Sequence, residues 1–185
     1  MFNIIEKQFI LNLAHQSIEQ YFYTGELLNI PEEEIPEKLL VEQSCFVTLT
    51  IDNELRGCIG HTAPIQSLYL DIIENAVGSA FDDPRFPPLS EEEYSQTKVE
   101  VSILTVPVEL DFSSPEDLLN KIRPNIDGVI IKYEENGATY LPQVWEEISD
   151  KTQFLDSLCE KASLMAGDWK KRGVKVWVYQ VEVIK

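Results

Sequence analysis

A cysteine with two basic side chains close to it in sequence is the feature that most directly suggests chemistry. Arg56 precedes Cys58 by two positions, and His61 follows it by three. Cationic neighbours lower the pKa of a thiol and the thiolate is the reactive form, so Cys58 could act as a nucleophile with His61 as its base or orienting group. The alternative is a buried cysteine that packs as a small hydrophobic side chain, with Gly57 and Gly60 relieving crowding on a strand.

A rigid loop framed by prolines, DDPRFPP at residues 82–88, contains a second group of candidates. Arg85 could present its guanidinium group to a carboxylate or phosphate of a substrate. The alternative is that Asp82 or Asp83 closes the preceding helix while Arg85 forms an internal ion pair. We also expect Arg56 to pair with Asp82 or Asp83, because a guanidinium near a buried strand requires a compensating charge.

The remaining residues that could do chemistry are few. Cys45 and Cys159 lie within apolar patterns and are expected to be inert core residues. With only two histidines and no CxxC or HExxH motif, the sequence indicates no metal site. It also lacks GxGxxG and GxxxxGK[ST], so no cofactor is expected. The segment 140–145, with its tyrosine, glutamine and tryptophan, could line a pocket or simply pack in the core.

Composition excludes several classes of protein. The 185 residues include 32 acidic and 15 basic side chains, which gives a net charge of −17. That charge repels phosphate backbones and anionic lipids, so neither a nucleic-acid nor a membrane partner is expected. The apolar runs are shorter than the ~20 residues that a membrane span needs. The N-terminal residues do not resemble a signal peptide, and three cysteines do not make a disulfide framework, so we expect a soluble cytoplasmic protein.

Apolar residues repeat with helical spacing in three segments, which predicts three main helices. The first stripe ends before Gly25, and Ser90 with Glu93 matches a capping box for a further short helix. Ser114-Pro115 is typical of another helix start, and residues 29–38 are typical of an exposed acidic connection. The three stripes lie at residues 10–22, 65–80 and 154–162.

Segments rich in β-forming residues alternate with these helices and predict an α+β fold around a mainly antiparallel sheet flanked by helices. Asp52-Asn53 and Asn136-Gly137 suit tight turns and predict two hairpins. The predicted strands are 45–51, 55–59, 98–105, 129–133, 138–141 and one long strand over 174–184.

LRGCIG (55–60) followed by DPRFPPL (83–89) is a specific pair of motifs, and with them the chain resembles the AMMECR-one domain family, also called AmmeMemoRadiSam system protein A. Further matching segments are VEVSILT (99–105), DGVII (127–131), TYLPQVW (139–145) and FLDSLCEKA (154–162). The chain departs from the family at His61, where a small hydroxyl residue is frequent, and at Ser163, where glycine is usual. The resemblance implies one α+β domain over residues 1–185, built of two intimately packed subdomains.

The resemblance implies no settled activity, and three hypotheses follow. The first is an enzyme in which Cys58 is catalytic and acts on a small polar substrate. The second is a non-catalytic partner or substrate-presenting module for radical-SAM and Memo-type proteins, which are encoded together with relatives of this family. The third is a protein that binds a small ligand without chemistry. The residues expected to hold a substrate are Arg56, Gly57, Gly60, His61, Asp83 and Arg85.

Overall fold

Eight strands form two four-stranded antiparallel sheets in the computed structural model, which describes every residue from 1 to 185. In chain order the strands are β1 (Cys45–Ile51), β2 (Glu54–Gly60), β3 (Lys98–Leu104), β4 (Val108–Glu109), β5 (Gly128–Tyr133), β6 (Asn136–Tyr140), β7 (Lys175–Tyr179) and β8 (Val181–Ile184). The strand order is β2-β1-β3-β8 in the first sheet and β4-β7-β5-β6 in the second.

Five α-helices accompany the sheets, and the α+β fold predicted from the sequence is confirmed. They are α1 (Ile4–Thr24), α2 (Leu68–Phe81), α3 (Glu91–Tyr94), α4 (Pro115–Lys121) and α5 (Lys151–Lys161). Gly25 ends α1 in the left-handed conformation with φ 70°, and the capping box of Ser90 and Glu93 opens α3. None of the helices combines the length and the apolar character needed to cross a bilayer.

The chain divides into two compact units, Met1–Leu104 with Glu182–Lys185, and Thr105–Val181. In the first unit, α1 and α2 contact each other, and their apolar stripes share one core with β1 and β3. The predicted acidic connection contains two short 3₁₀ turns, Glu32–Glu34 and Glu37–Leu39. That a single domain covers residues 1–185 stays a prediction.

The hairpin of β1 and β2 forms as predicted. Asp52 and Asn53 both adopt positive φ, at 53° and 67°, so they build the two-residue turn that the sequence favours. The register shifts between Leu49 and Thr50 of β1, since Leu49 pairs with Gly57 and Thr50 with Leu55. This β-bulge leaves Arg56 without a paired residue on β1. A bulge changes the direction in which the side chain of the unpaired residue points.

The second unit has its own core, which contains the aromatic residues of the TYLPQVW segment. Trp145 is buried and stacks on Phe154 at 3.6 Å between ring centroids, and its Nε1 donates to the carbonyl oxygen of Asp127. Core packing is therefore the role of Trp145. All three tryptophans of the chain, Trp145, Trp169 and Trp177, belong to this unit.

Two predictions in the second half of the chain are wrong. Tyr133 pairs directly with Asn136, so the second hairpin turns at Glu134-Glu135, with Glu134 at φ 55°, and Asn136-Gly137 lies within β6. The segment 174–184 is two strands rather than one. Gln180 exchanges hydrogen bonds with Thr105 between them, and β7 and β8 belong to different sheets.

Candidate functional site

Cys58 lies on β2, the outer strand of the first sheet, where one edge has no neighbouring strand. The backbone polar groups at such an edge need other partners. Asp83 Oδ2 accepts a hydrogen bond from the Cys58 amide at 2.8 Å, and Arg85 Nη2 donates to the Cys58 carbonyl at 3.3 Å. Two side chains of the DPRFPPL loop therefore fix the peptide groups of Cys58 as a further strand would.

Asp83 and Arg85 form the internal ion pair that was one of the two sequence interpretations. Asp83 is buried and accepts from Arg85 Nε at 2.9 Å and Nη2 at 2.7 Å. These hydrogen bonds hold the pKa of Asp83 far below its usual range. The same hydrogen bonds raise the pKa of Arg85, and attraction to a negatively charged Cys58 sulfur raises it as well. The Arg85 side chain is still 51% exposed, and its Nη1 makes no hydrogen bond.

The Cys58 thiol differs from the other two thiols in its surroundings. It is half-buried, and Thr48, its cross-strand partner on β1, donates a hydrogen bond from Oγ1 to Sγ at 3.3 Å. Cys45 and Cys159 are buried, and burial raises the pKa of both. Cys58 is therefore the one cysteine of this chain that is not buried. No three His, Cys, Asp or Glu side chains are grouped as metal ligands would be.

Arg56 does not pair with Asp82 or Asp83, so that prediction is wrong. Its Nε and Nη2 each donate to a carboxylate oxygen of Glu93 at 2.9 Å, and Nη2 also donates to the carbonyl of Pro87 at 3.0 Å. The two-pronged contact with Glu93 is the strong geometry for a guanidinium and a carboxylate.

Two structural features explain why Arg56 pairs with Glu93. The β-bulge changes the direction of Arg56 relative to its strand, and the capping box fixes the Glu93 carboxylate through the amide of Ser90 at 3.0 Å. The hydrogen bonds from Arg56, followed by that from Ser90, lower the pKa of Glu93 to about 2. Sequence reasoning assigned Glu93 to the helix cap but missed this second role.

Gly57 and Gly60 are glycines because the chain is crowded where they lie. A Cβ on Gly57 would stand 2.0 Å from the carbonyl oxygen of Ser79, and a Cβ on Gly60 would stand 2.4 Å from that of Cys45. Both distances are below any tolerated contact, so close packing accounts for these glycines. Their predicted role in holding a substrate stays a prediction.

His61 and Cys58 are not joined by a hydrogen bond. His61 Nδ1 instead lies 2.6 Å from Oδ1 of Asp71, a residue of α2 that sequence reasoning missed. Asp71 belongs to a buried polar stripe on α2, with Asn75 and Ser79 one and two turns further on. Polar residues at four-residue spacing inside an apolar helix were the signal that could have revealed it.

The sequence model of the AMMECR1 family matches residues 11–184. The chain belongs to the AMMECR1 family. The matched range includes LRGCIG and DPRFPPL, so the resemblance based on these motifs is confirmed. The AMMECR1 match also extends through both compact units.

The relatives of this AMMECR1 chain include archaeal proteins of similar length. Protein NEQ441 of Nanoarchaeum equitans is 38% identical over 179 residues, which covers 95% of this chain and 99% of that protein. Protein PH0010 of Pyrococcus horikoshii is 39% identical over 184 residues, which covers 96% and 88% of the two chains. The crystal structure of uncharacterized protein PH0010 matches with a TM-score of 0.88 and 36% identity, covering 98% of this chain and 92% of that one.

Proposed function

We propose that this AMMECR1 protein is an enzyme in which Cys58 is the nucleophile and the substrate is a small molecule with an anionic group. One arrangement carries the proposal. The Arg85 guanidinium is anchored to the carbonyl of Cys58 itself and to Asp83, yet its Nη1 makes no hydrogen bond. A half-exposed guanidinium beside an accessible thiol can hold an anion while the sulfur reacts with it.

The chemistry requires a thiolate, and two groups lie beside the Cys58 sulfur. The Thr48 hydroxyl donates to Sγ at 3.3 Å, and the charge of Arg85 attracts a negatively charged sulfur. In the proposed step, the thiolate attacks an electrophilic carbon of the substrate. A carbon–sulfur bond forms while the bond to the leaving group breaks, and the leaving group departs with its electron pair. Because such a thiol must stay reduced, the proposal includes the cytoplasmic location expected from the sequence.

Paired alkylating reagents test the roles of Cys58 and Arg85. Iodoacetamide is neutral and iodoacetate is anionic, and both react when a thiolate displaces iodide. We expect Cys58 to react at least ~10-fold faster than Cys45 and Cys159, with a preference for iodoacetate over iodoacetamide that exceeds that of a free thiol. Peptide mass mapping measures the rate at each cysteine.

The Arg85→Gln variant should lose the preference for iodoacetate by roughly 10-fold, since the anion-binding group is gone. Arg123→Gln is the matched control, because Arg123 also forms a half-exposed ion pair with a buried aspartate, Asp127, but belongs to the second unit. If Cys58 reacts no faster than the two buried cysteines, the enzyme proposal fails.

The second candidate function is a non-catalytic partner or substrate-presenting module for radical-SAM and Memo-type proteins. Arg56 and Asp83 are both engaged by internal partners, which gives much of the LRGCIG and DPRFPPL segments a structural role. A slow Cys58 in the alkylation experiment would support this function. Co-purification of the chain with a radical-SAM protein and a Memo-type protein would then test the module directly.

A further inference from the structure

His61 is held by a buried carboxylate in a way that its neighbourhood in sequence does not predict. Its Nδ1 lies 2.6 Å from Oδ1 of Asp71, which is 1% exposed. The other oxygen of Asp71 accepts from the Cys45 amide at 2.8 Å and from Asn75 Nδ2 at 3.0 Å. Since a carboxylate that already receives two N–H donors acts as an acceptor, the proton between Asp71 and His61 belongs to Nδ1.

This assignment fixes the state of the second ring nitrogen. A neutral imidazole that is protonated on Nδ1 has a lone pair on Nε2. Nε2 makes no hydrogen bond in the structure, and the His61 side chain is 37% exposed. Asn75 Nδ2 also lies 3.4 Å from Nδ1, but two donors do not bond, so this contact leaves the tautomer unchanged. The lone pair of Nε2 therefore has no hydrogen-bond donor from the protein, and Asp71 orients the ring through Nδ1.

We propose that His61 is a general base, which takes a proton at Nε2 from water or from the hydroxyl or amino group of a ligand. Asp71 and Asn75 are its positioning residues. When Nε2 is protonated, Nδ1 keeps its proton and the Asp71 carboxylate stabilises the imidazolium, as in other carboxylate–histidine pairs. The proton later passes from Nε2 to the leaving group or to solvent. No hydrogen bond joins His61 to Cys58, so this proposal is independent of the thiol chemistry.

The other histidine of the chain is a natural control. His15 also bonds through Nδ1, at 2.9 Å, but its partner is the neutral hydroxyl group of Tyr94. Burial lowers the pKa of His15. The two imidazoles thus differ in whether a buried carboxylate orients the ring.

Hydrolysis of p-nitrophenyl acetate tests the base function, with Cys58→Ser as the parent so that the thiol cannot react. Nε2 takes a proton from water, the hydroxide adds to the acetyl carbon, and p-nitrophenolate leaves with the bonding electrons. We expect His61→Gln to lower the hydrolysis rate above background by at least ~10-fold and His15→Gln to change it by less than about twofold. Equal rates in the parent and the His61 variant would overturn the proposal, whatever the alkylation of Cys58 shows.

Nitrogen NMR of the unmodified chain gives a second readout that needs no variant. We expect the neutral His61 ring to carry its proton on Nδ1, and the less common tautomer of free histidine would thus mark this residue. In Asp71→Asn this tautomer should be lost and the hydrolysis rate should fall by about 10-fold or more. A neutral His61 ring protonated on Nε2 in the folded, unmodified chain would overturn the proposal even if Asp71→Asn did not fold.

Discussion

Glu93 shows how one side chain links a helix cap to the candidate site. Its carboxylate accepts from the Ser90 amide and from both prongs of Arg56, and these donors lower its pKa from 4.5 to about 2. A carboxyl group with a lowered pKa stabilises the fold above its unfolded pKa, and this contribution is lost as the pH falls through the folded value. The contribution of Glu93 should therefore disappear between about pH 4.5 and about pH 2.

We predict that Glu93→Gln lowers the free energy of unfolding by about 1 kcal/mol near neutral pH, because solvent screens a pair that is partly exposed. The difference from the parent should shrink as the pH falls below about 4.5. Urea unfolding at several pH values measures both effects. Glu92→Gln, at the exposed neighbouring position on α3, should change little at any pH. A difference that grows on acidification would contradict the role assigned to Glu93.

At the scale of elements, the polar stripe of α2 stabilises the β1–β2 hairpin. Ser79 Oγ accepts from the Ile59 amide at 2.9 Å and lies 2.7 Å from the carbonyl oxygens of Val47 and Asn75, to either of which it can donate. The backbone carbonyl oxygen of Ser79 also occupies the space that a Cβ of Gly57 would need. The helix can approach the strands this closely because Gly57 has no side chain.

We predict that Ser79→Ala lowers the free energy of unfolding by about 1–3 kcal/mol, because it leaves the Ile59 amide without a partner. Ser17→Ala is the matched control. Ser17 is an equally buried serine of α1, but its hydroxyl donates only to the carbonyl of Leu13 in the preceding helical turn. That contact should contribute almost nothing. Urea unfolding and hydrogen exchange at the Ile59 amide measure the two effects, and equal losses would contradict the prediction.

The elements that the sequence predicts well are those that local chemistry determines. Asp52-Asn53 turns the first hairpin because both residues tolerate positive φ, and Ser90 with Glu93 caps α3 because the two side chains lie three residues apart. The turn at Glu134-Glu135 overrides the better turn residues after it, since the pairing of β5 and β6 sets the register. Local preference does not reveal such tertiary choices.

Partners that are distant in sequence were the hardest part of the site to predict. The accessible Cys58 and the Asp83–Arg85 ion pair were among the interpretations of the sequence. The Arg56–Glu93 pair depends on a bulge, and the contact of His61 with Asp71 depends on how α2 packs on the hairpin. The spacing of polar residues on α2 marks Asp71 as an unusual position, but it does not identify His61 as the partner. Both contacts require the relative position of two elements.

For the whole molecule, the net charge of −17 is the main electrostatic feature. Repulsion among like charges destabilises a compact state, and salt screens it. We therefore predict that raising NaCl from about 0.02 M to about 0.5 M increases the Tm by roughly 2–5 °C. Differential scanning calorimetry measures the shift.

A variant with Glu32, Glu33 and Glu34 changed to glutamine is the control for this charge effect. These three side chains are exposed on one short turn, and none forms an ion pair. The variant should have a higher Tm at low salt and a smaller response to NaCl than the parent. A Tm that falls as NaCl is added would show that the ion pairs outweigh the general repulsion.

The uneven distribution of tryptophan gives the protein a set of built-in spectroscopic reporters. Trp145, Trp169 and Trp177 all lie in the second unit, whereas both histidines lie in the first. Intrinsic fluorescence excited at the indole band therefore follows only residues 105–181, and imidazole resonances follow only the first unit. Recorded during the same denaturant titration, the two signals would show whether the units lose their structure together or one after the other, without any attached dye.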